Sequence, residues 1–404
     1  MTRGAVVLTI AIVVALDAGV LLMTGLLGEP GISDTLVYEG YGERIASGEL
    51  PYRDFAVEYP PGALIPFSVP ALISSTNDGF GRAFEALMTL GMGAICALIV
   101  LSQRALQASL RRTALSVAAF LLGALLLGSF ILTRFDLYAA AFTLAAVCAI
   151  LHRRLILGPI LLGLAIATKI YPVVLLPLLA ARAWKREGPR AAFRDTVVTV
   201  GAAVVVYLPF VLVAPEGVAR SVWRQLGRPL QIESLGSGVL LALHNAAGMP
   251  LAWASGSGSQ NLTGTVATVA SGVTTIVGAA ALALVWVRYA RGDTESQARF
   301  AQYAAAAVVA FVAFGKVVSP QFLVWLLAIV VIVPGLRGSV ASVLLVVACG
   351  LTRLWFPRTY WDLVKEFDPM SSWLVLGRDL TLVVVFVVLV VRLRAFRARE
   401  RAPA

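Results

Sequence analysis

Long apolar runs separated by short polar segments dominate the pattern of this chain. A helix needs about 20 predominantly apolar residues to cross the hydrocarbon core of a bilayer, because it rises only about 1.5 Å per residue. Runs that reach or approach this length lie near 5–27, 83–103, 113–132, 134–151, 155–168, 169–181, 196–214, 263–287, 300–315, 319–334, 338–353 and 373–391. The stretch 155–181 is short for two passes and also fits one tilted helix with a re-entrant piece. The pattern therefore predicts an all-α polytopic membrane protein with about 12 transmembrane helices.

The composition agrees with this interpretation and leaves no room for a soluble domain of any size. Hydrophobic residues make up 59% of the 404 residues and charged residues only 14%, with a mean hydropathy of +0.87. A soluble protein of this length carries about a quarter charged residues. The first apolar run is too long for a signal peptide and reads as the first spanning helix. We expect a single transmembrane domain over residues 1–404, with short helices in its extracytoplasmic loops.

The few cysteines and histidines exclude two common kinds of site. The three cysteines, Cys96, Cys148 and Cys349, lie inside apolar runs, and the two histidines, His152 and His244, are far apart in sequence. An odd number of cysteines without a C-x-x-C motif indicates neither a disulfide framework nor a zinc site. The chain also lacks a Walker A motif, a G-x-G-x-x-G motif and an H-E-x-x-H motif. We therefore predict no metal and no cofactor.

Basic residues concentrate in alternate loops when the N-terminus is placed in the cytoplasm. The cytoplasmic set then holds 20 of the 33 Lys and Arg residues but only five acidic residues, a net charge of +15. Because short cytoplasmic loops carry an excess of Lys and Arg, this orientation is the expected one. We predict a multi-pass plasma-membrane protein with both termini in the cytoplasm. The arginine-rich tail over 392–401 is interpreted as a membrane-surface anchor rather than a nucleic-acid-binding arm.

Two extracytoplasmic segments are long, 28–82 and 215–262, and the first is rich in acids. Nine of the 22 acidic residues lie within 29–85. The pattern over 33–47 predicts a short helix that ends at Gly48, a residue type common after helix C-termini. The segment that follows contains a Pro-Pro pair, which predicts a rigid elbow, and then an apolar run over 63–74 interrupted by two further prolines.

The predicted short helix has two chemically different faces. Asp34, Tyr38 and Tyr41 share one face on a 3.6-residue repeat, whereas Glu39 and Glu43 occupy the opposite face, which we expect to be solvated. Asp34 is either a general base at the membrane surface or the N-cap of this helix, and the two roles are compatible.

Two further acids follow in the same outer segment. For Asp54 and Glu58, a solvated loop position or a salt bridge to Arg53 competes with a catalytic role. The rigid elbow begins at Glu58 and includes Tyr59.

Basic residues at the outer ends of helices suggest a site for a phosphate carried on a lipid. Lys169 and Lys316 each precede a proline that breaks the next helix, and Arg134 and Asp136 lie at the third outer turn. Ionisable residues this close to the hydrocarbon core need partners of opposite charge or polar partners. The alternative for each lysine is snorkelling to lipid headgroups.

The second outer segment carries three arginines spaced by four residues. Arg220, Arg224 and Arg228 are predicted to share one face of an amphipathic helix. Such a face fits either the lipid-phosphate site or an interfacial helix on lipid headgroups. His244 follows an apolar stretch and fits a packed or interfacial histidine better than a catalytic one.

Several short motifs resemble those of glycosyltransferase family 87, within the GT-C superfamily of polyprenol-phosphate-dependent transferases. The first outer segment carries Asp34-x-x-x-Tyr38, Gly48-x-x-x-Tyr52 and Tyr59-Pro60-Pro61, and later segments carry Lys169-x-Tyr171-Pro172 and Ser319-Pro320-Gln321-x-x-x-Trp325. The resemblance implies a GT-C fold and inverting transfer, outside the membrane, of a sugar from a polyprenyl-phosphate donor. The sugar would be mannose most often, or arabinofuranose in relatives, and the base would be the acid of the first outer loop, which matches Asp34. The chain departs from the mannosyltransferases acting on inositol-lipid mannosides, because Gln321 and the residues after it replace their histidine.

The residues suit this chemistry. A phosphate leaves as a stabilised anion, so one carboxylate that deprotonates the acceptor hydroxyl is enough. Fixed cations then stabilise the charge on the phosphate. We assign catalysis to Asp34, donor-phosphate binding to Lys169, Lys316 and Arg228, and substrate binding to Tyr38, Tyr41, Asp54, Glu58, Tyr59, Gln321 and His244.

The expected partners are the polyprenyl-phosphate sugar donor, a lipid or glycan acceptor and membrane lipids, with no nucleic acid. Two other functions remain open, a transporter or flippase of lipid-linked sugars and a non-catalytic assembly factor. A transporter would carry ionisable residues at mid-membrane and often two repeated halves. Only Asp17 lies near the middle of a predicted span, and no halves are evident.

Overall fold

The structure, a computed structural model, describes residues 3–27 and 31–391 and is almost entirely helical. It divides into two compact units, one formed by residues 1–102 and 127–228 and the other by residues 103–126 and 229–404. The predicted anchor over 392–401 lies outside the described residues, as do the first three residues of the 28–82 segment. The assignment of residues 1–404 to one transmembrane domain stays a prediction.

Seventeen α-helices account for most of the described residues. In chain order they are α1 (Arg3–Met23), α2 (Thr35–Ala46), α3 (Leu64–Ile73), α4 (Asn77–Ala105), α5 (Leu110–Leu127), α6 (Asp136–Leu151), α7 (Leu157–Thr168), α8 (Leu176–Glu187), α9 (Pro189–Val213), α10 (Pro215–Leu226), α11 (Leu235–Ala247), α12 (Thr265–Ala290), α13 (Gln297–Ala313), α14 (Phe322–Val330), α15 (Gly335–Trp355), α16 (Tyr360–Glu366) and α17 (Pro369–Val390). Three single turns of 3-10 helix lie at Pro61–Ala63, Ser129–Thr133 and Tyr171–Leu175.

Seven of these helices are long and apolar enough to cross a membrane. They are α1, α4, α5, α9, α12, α15 and α17, and each contains at least 18 residues of high hydropathy with few charges. Shorter apolar helices, including α6, α7 and α11, add to them. Every apolar run found in the sequence corresponds to helix, and the predicted all-α, polytopic membrane fold is confirmed.

Two prolines do not interrupt the apolar run after the elbow. The run over 63–74 forms helix α3, with Pro70 inside it, although the sequence predicts a broken segment. Pro66 lies in the first turn, where a backbone N–H has no partner within the helix, so its missing donor costs little. The backbone N–H of Ser74 still donates to the Pro70 carbonyl at 3.0 Å.

The run Ser-Gly-Ser-Gly-Ser over 255–259 predicts a flexible piece of loop, but the second unit contains a small β-hairpin there. Strands β1 (Ala252–Gly256) and β2 (Ser259–Thr263) pair antiparallel, and Gly256 lies opposite Ser259. The two tip residues, Ser257 and Gly258, have φ angles of 54° and 67°. Left-handed backbone at both positions is the geometry that a two-residue hairpin turn requires. The flexible-loop prediction is wrong, because Ser-Gly repeats serve as turn residues as well as linkers.

Candidate active site

Close packing of α2 on α3 builds the floor of the site in the first unit. A Cβ placed on Gly42 of α2 would lie 2.4 Å from the backbone oxygen of Phe67 in α3, so only glycine allows this approach. The contact brings Tyr38 of α2 onto the Phe67 ring, with centroids 4.3 Å apart and planes nearly parallel at 10°. Tyr38 is only 1% exposed.

Three more rings complete this surface, and we call the five rings Tyr38, Tyr41, Tyr59, Phe67 and Phe135 the aromatic cluster. Tyr59 packs edge-on against Phe135 at 5.1 Å and against Tyr38 at 5.8 Å. Tyr41 lies 5.9 Å from Phe67. Edge-on and offset pairs are the arrangements that aromatic quadrupoles favour.

The two inner phenols of the aromatic cluster stay protonated. Burial, and after it the nearby Tyr59 and Asp136, raises the pKa of Tyr38 well above its usual value. Burial also raises the pKa of Tyr59, against a smaller lowering by its hydrogen bond with Tyr38. Both hydroxyls can therefore donate hydrogen bonds at neutral pH.

Asp34 is held by an arginine that is distant in sequence. The residue precedes α2, as the capping alternative predicts, but its side chain makes no capping hydrogen bond. Its carboxylate forms an ion pair with Arg134 instead and accepts a 3.4 Å hydrogen bond from the Tyr38 hydroxyl. The Asp34 side chain is 33% exposed and that of Arg134 only 7%. A half-open carboxylate is thus fixed by a buried guanidinium.

A second ion pair lies beside the aromatic cluster. Lys169, in the loop that follows α7, donates to Asp136 Oδ1 at 2.6 Å, and its Nζ lies 4.3 Å from the centroid of Phe135. Burial lowers the pKa of the Lys169 ammonium, and Asp136 raises it. The charges of Arg134 and Arg228 lower it further, which means that both guanidinium groups are close enough to act on Lys169. We call Arg134, Lys169 and Arg228 the cationic cluster.

Asp54 and Glu58 lie in ion pairs, as the alternative to catalysis predicts, although Glu58 pairs with a different arginine. Arg53 bonds Asp54 at 2.8 Å, and that hydrogen bond, followed by one from the backbone N–H of Leu50, lowers the pKa of Asp54 to about 2. Glu58 Oε1 lies 4.0 Å from Arg224. Asp54 is therefore a weak base, because its basic oxygens already accept strong hydrogen bonds.

Two predictions about helix faces are wrong. Helix α10 ends at Leu226, so Arg228 lies beyond it rather than on one face with Arg220 and Arg224. Glu39 is only 6% exposed, although the sequence predicts a solvated face for it, and burial followed by the charge of Glu43 raises its pKa. Helix α10 ends because Gly227 and Pro229 follow it, whereas the burial of Glu39 depends on tertiary packing, which helical periodicity does not reveal.

Three predicted site residues belong to the second unit. The carbonyl of Lys316 accepts a 2.9 Å hydrogen bond from the backbone N–H of Gln231. Gln321 directly precedes α14. The His244 ring donates from Nδ1 to the Met249 carbonyl at 2.6 Å and packs edge-on against Phe367. The His244 contacts agree with a packed histidine.

The first unit brings together Asp34, Tyr38, Tyr41, Tyr59, Lys169 and Arg228. It also includes Arg134 and Asp136 of the third outer turn, which the sequence analysis expects to need partners but does not assign to the site. The sequence feature that could have indicated them is the triplet Arg134-Phe135-Asp136, in which two opposite charges flank an aromatic residue at the start of the apolar helix α6. The triplet itself does not reveal that Arg134 pairs with Asp34 and Asp136 with Lys169.

The profile of Glycosyltransferase family 87 matches residues 57–320, about two thirds of the sequence. The chain belongs to glycosyltransferase family 87. The matched region of this family 87 member includes Arg134, Lys169 and Arg228, whereas Asp34 and Tyr38 precede it. No protein of curated function matches the chain.

A solved structure supports the same fold. The crystal structure of ArnT from Cupriavidus metallidurans bound to undecaprenyl phosphate superposes with a TM-score of 0.51 and 16% sequence identity. The match covers 96% of the family 87 chain and 77% of that chain. At this identity the likeness establishes the fold alone, and the predicted GT-C fold is confirmed.

Proposed function

We propose that this family 87 glycosyltransferase moves mannose, with inversion, from a polyprenyl-phosphate donor to a hydroxyl of a lipid or glycan acceptor on the extracytoplasmic side. Membership of the family supports sugar transfer. The structural relative whose crystal contains undecaprenyl phosphate supports a polyprenyl-phosphate donor. Mannose is supported by the motif resemblance, with arabinofuranose as the competing sugar.

One observation carries the proposal: a half-open carboxylate paired with Arg134 lies beside an aromatic surface that Lys169 also contacts, and Arg228 is close enough to act on Lys169. Asp34 is the acid, and Arg134, Lys169 and Arg228 form the cationic cluster. A general base needs one accessible carboxylate, and a phosphate leaving group needs fixed positive charge. The arrangement supplies both within the first unit.

The bonds change in a single displacement. The acceptor hydroxyl oxygen attacks the anomeric carbon of the sugar, and the bond from that carbon to the phosphate oxygen breaks. The phosphate keeps the electron pair, and the cationic cluster stabilises its charge. Asp34 takes the hydroxyl proton. No second carboxylate is required, because the phosphate needs no protonation to depart, in contrast to the acid and base pair of glycosidases.

Arg134 links donor binding to the base. In the structure its guanidinium is paired with Asp34. The donor phosphate is a diester with one negative charge and gains a second charge as its bond to the sugar breaks. It competes for the same guanidinium, since arginine binds phosphate with bidentate geometry. Binding of the donor then frees the Asp34 carboxylate to accept a proton. The partly exposed Tyr59 can donate a hydrogen bond to the sugar and offer its ring as an apolar face, while the buried Tyr38 positions Asp34 through its hydroxyl.

The distribution of basic residues supports the extracytoplasmic side. Asp34, Lys169 and Arg228 all fall in segments outside the positively charged cytoplasmic loops.

The proposal is tested by transfer assays on membranes that contain the wild type or Asp34→Asn. Labelled polyprenyl-phosphate mannose and polyprenyl-phosphate arabinofuranose are offered separately with a lipid extract as acceptor. We expect transfer from the mannose donor, and a loss of about 10²–10⁴-fold in kcat for Asp34→Asn, which is the usual contribution of a general base.

Glu43→Gln is the matched control, because it removes an exposed carboxylate of the same outer loop that belongs to neither the aromatic nor the cationic cluster. We expect Glu43→Gln to keep the wild-type kcat. A similar loss in both variants would remove the base role from Asp34. Movement of the lipid-linked sugar between leaflets without any transfer would instead favour a flippase.

A further inference from the structure

A polar cavity of about 210 Å³ lies in the first unit, between residues 52–57 and one face of α10. Its walls include Arg53 and Asp54 on the loop side and Arg220, Ser221 and Arg224 on the helix side. A water molecule occupies roughly 30 Å³ of liquid, so the cavity has room for a phosphate or carboxylate group with part of its carrier.

The cavity carries an excess of positive charge. Arg53 is neutralised by Asp54 at 2.8 Å. Arg224 has Glu58 as its carboxylate neighbour at 4.0 Å, the outer limit of an ion pair. Arg220 makes no ion pair or hydrogen bond with any residue that the structure describes. Two guanidinium groups four residues apart on one helix therefore face a cavity with little to neutralise them.

Close packing fixes the shape of the cavity. A Cβ on Gly217 would lie 1.9 Å from the Tyr52 carbonyl oxygen, so α10 touches the loop backbone at this point. Near its other end, Gln225 Nε2 donates to the Glu58 carbonyl at 2.8 Å. The Tyr52 hydroxyl donates to the Tyr59 carbonyl at 2.6 Å, which ties this wall to the aromatic cluster. A site with walls held at both ends is pre-organised for a ligand.

We propose that this cavity binds an anionic group of the acceptor, a phosphate or a carboxylate, so that the transferase selects acidic acceptors. The inference rests on the proposed function, in which the donor phosphate occupies the separate cationic cluster. A neutral acceptor sugar would not need two unneutralised guanidinium groups, whereas phosphate and carboxylate are the groups that arginine binds best. The anion is carried either on a lipid headgroup in the bilayer or on a dissolved glycan.

Binding is measured first, because it does not depend on catalysis. The full chain in discs of zwitterionic lipid is titrated with glycerol 3-phosphate by calorimetry. We expect saturable binding to the wild type, weakened roughly tenfold by Arg220→Gln and roughly 100-fold by Arg220→Gln/Arg224→Gln. Arg82→Gln, which removes an arginine of the first outer segment that does not line the cavity, should bind as the wild type does.

A conservative variant separates loss of charge from loss of folding. Arg220→Lys/Arg224→Lys keeps both positive charges, and we expect it to recover at least half of the lost affinity on a logarithmic scale. Equal affinity of the wild type and Arg220→Gln/Arg224→Gln would overturn the proposal. The proposal would also be overturned if Arg220→Lys/Arg224→Lys failed to recover binding and the control Arg82→Gln had lost it as well.

The carrier of the anion is identified by repeating the titration in discs that contain phosphatidylglycerol. If a lipid headgroup occupies the cavity, the apparent affinity of the wild type for glycerol 3-phosphate falls as the anionic lipid increases. The residual weak binding of the double Gln variant does not change. If the affinity of the wild type is unaffected, a dissolved acidic glycan is the carrier. Both outcomes support an anion site and differ only in its source.

Kinetics then assign the site to the acceptor. In a transfer assay, the double Gln variant should raise the KM for the acceptor about 100-fold and leave kcat and the KM for the donor within about threefold. A rise in the donor KM alone would move the cavity to the donor and overturn the assignment. Absence of transfer by the wild type would defeat the proposed function while the binding measurement still reports on the cavity.

Discussion

At the scale of residues, the first unit holds two buried charges, Asp136 and Lys169, as an ion pair. Asp136 is 2% exposed and Lys169 16%, and a buried charge without a partner is costly. The ion pair gives each group a partner of opposite charge, and Phe135 adds a cation–π contact to the ammonium. Lys169 thus serves the fold and, in our proposal, the donor phosphate as well.

The two roles of Lys169 can be separated by a double-mutant cycle. Lys169→Met leaves the Asp136 carboxylate buried without its partner and should destabilise the protein by about 3–5 kcal/mol. Lys169→Met/Asp136→Leu removes both charges and should recover most of that loss. Donor binding should stay weak in both variants, because the cation is absent from both.

Thermal unfolding in detergent and binding of a polyprenyl phosphate are the two measurements for this cycle. If the double variant regains donor binding along with stability, Lys169 has a structural role only.

The sequence could suggest these residues but not their partners. The acid of the outer loop and the lysine before Tyr171-Pro172 stand out in a chain with few charges, and the structure finds both in one site. Asp34 and Arg134 are separated by 100 positions, however, and no local pattern encodes that ion pair. Because that ion pair holds the Asp34 side chain, Asp34 does not cap α2, and the sequence alone could not show this.

At the scale of elements, small residues let short helices approach one another. Gly42 permits α2 to touch the backbone of α3, and Gly217 permits α10 to touch the Tyr52 loop. The sequence predicts α2 almost to the residue from its periodicity and its glycine terminator. It does not predict α3, because Pro66 lies in the first turn, where proline is tolerated, and the helix continues through Pro70 despite its missing N–H donor.

A pair of glycines on α2 offers a matched test of this packing. Gly42→Ala would bring a methyl group into the Phe67 carbonyl and should destabilise the first unit by about 1–3 kcal/mol, with a loss of transferase activity as Tyr38 shifts. Gly40→Ala meets nothing within 4 Å on the same helix and should be neutral or stabilising by up to about 1 kcal/mol.

Thermal unfolding of both alanine variants, together with activity, decides the point. Equal stability of the two would mean that the contact between α2 and α3 is not close enough to exclude a methyl group.

At the scale of the whole molecule, hydropathy and charge together define how the chain meets the membrane. Seven helices have the length and composition to span it, and 20 of 33 basic residues lie in the loops predicted to be cytoplasmic. The class of fold could be predicted from the sequence because a bilayer permits few solutions for a buried backbone. The pairing of helices within each unit could not, since it depends on shape rather than on hydropathy.

The predicted orientation is tested with single cysteines at exposed loop positions. The native cysteines Cys96, Cys148 and Cys349 are buried and should react slowly. Ser47→Cys, in the outer segment, should react with a membrane-impermeant maleimide in intact cells. Gln107→Cys, between α4 and α5, should react only after permeabilisation. The reverse pattern would invert the topology and place Asp34 on the cytoplasmic face.

The hairpin of the second unit has a practical consequence for imaging. Its tip is exposed and its strands are tied together by a regular ladder, so the two ends of an inserted segment would emerge close together from a fixed base. The chain has a mass of only 42.8 kDa, and most of it would lie inside a detergent micelle. Little protein would therefore project from the micelle to align particles in electron microscopy. A small folded epitope grafted between Ser257 and Gly258 would give an antibody fragment a rigid attachment point and so supply that mass.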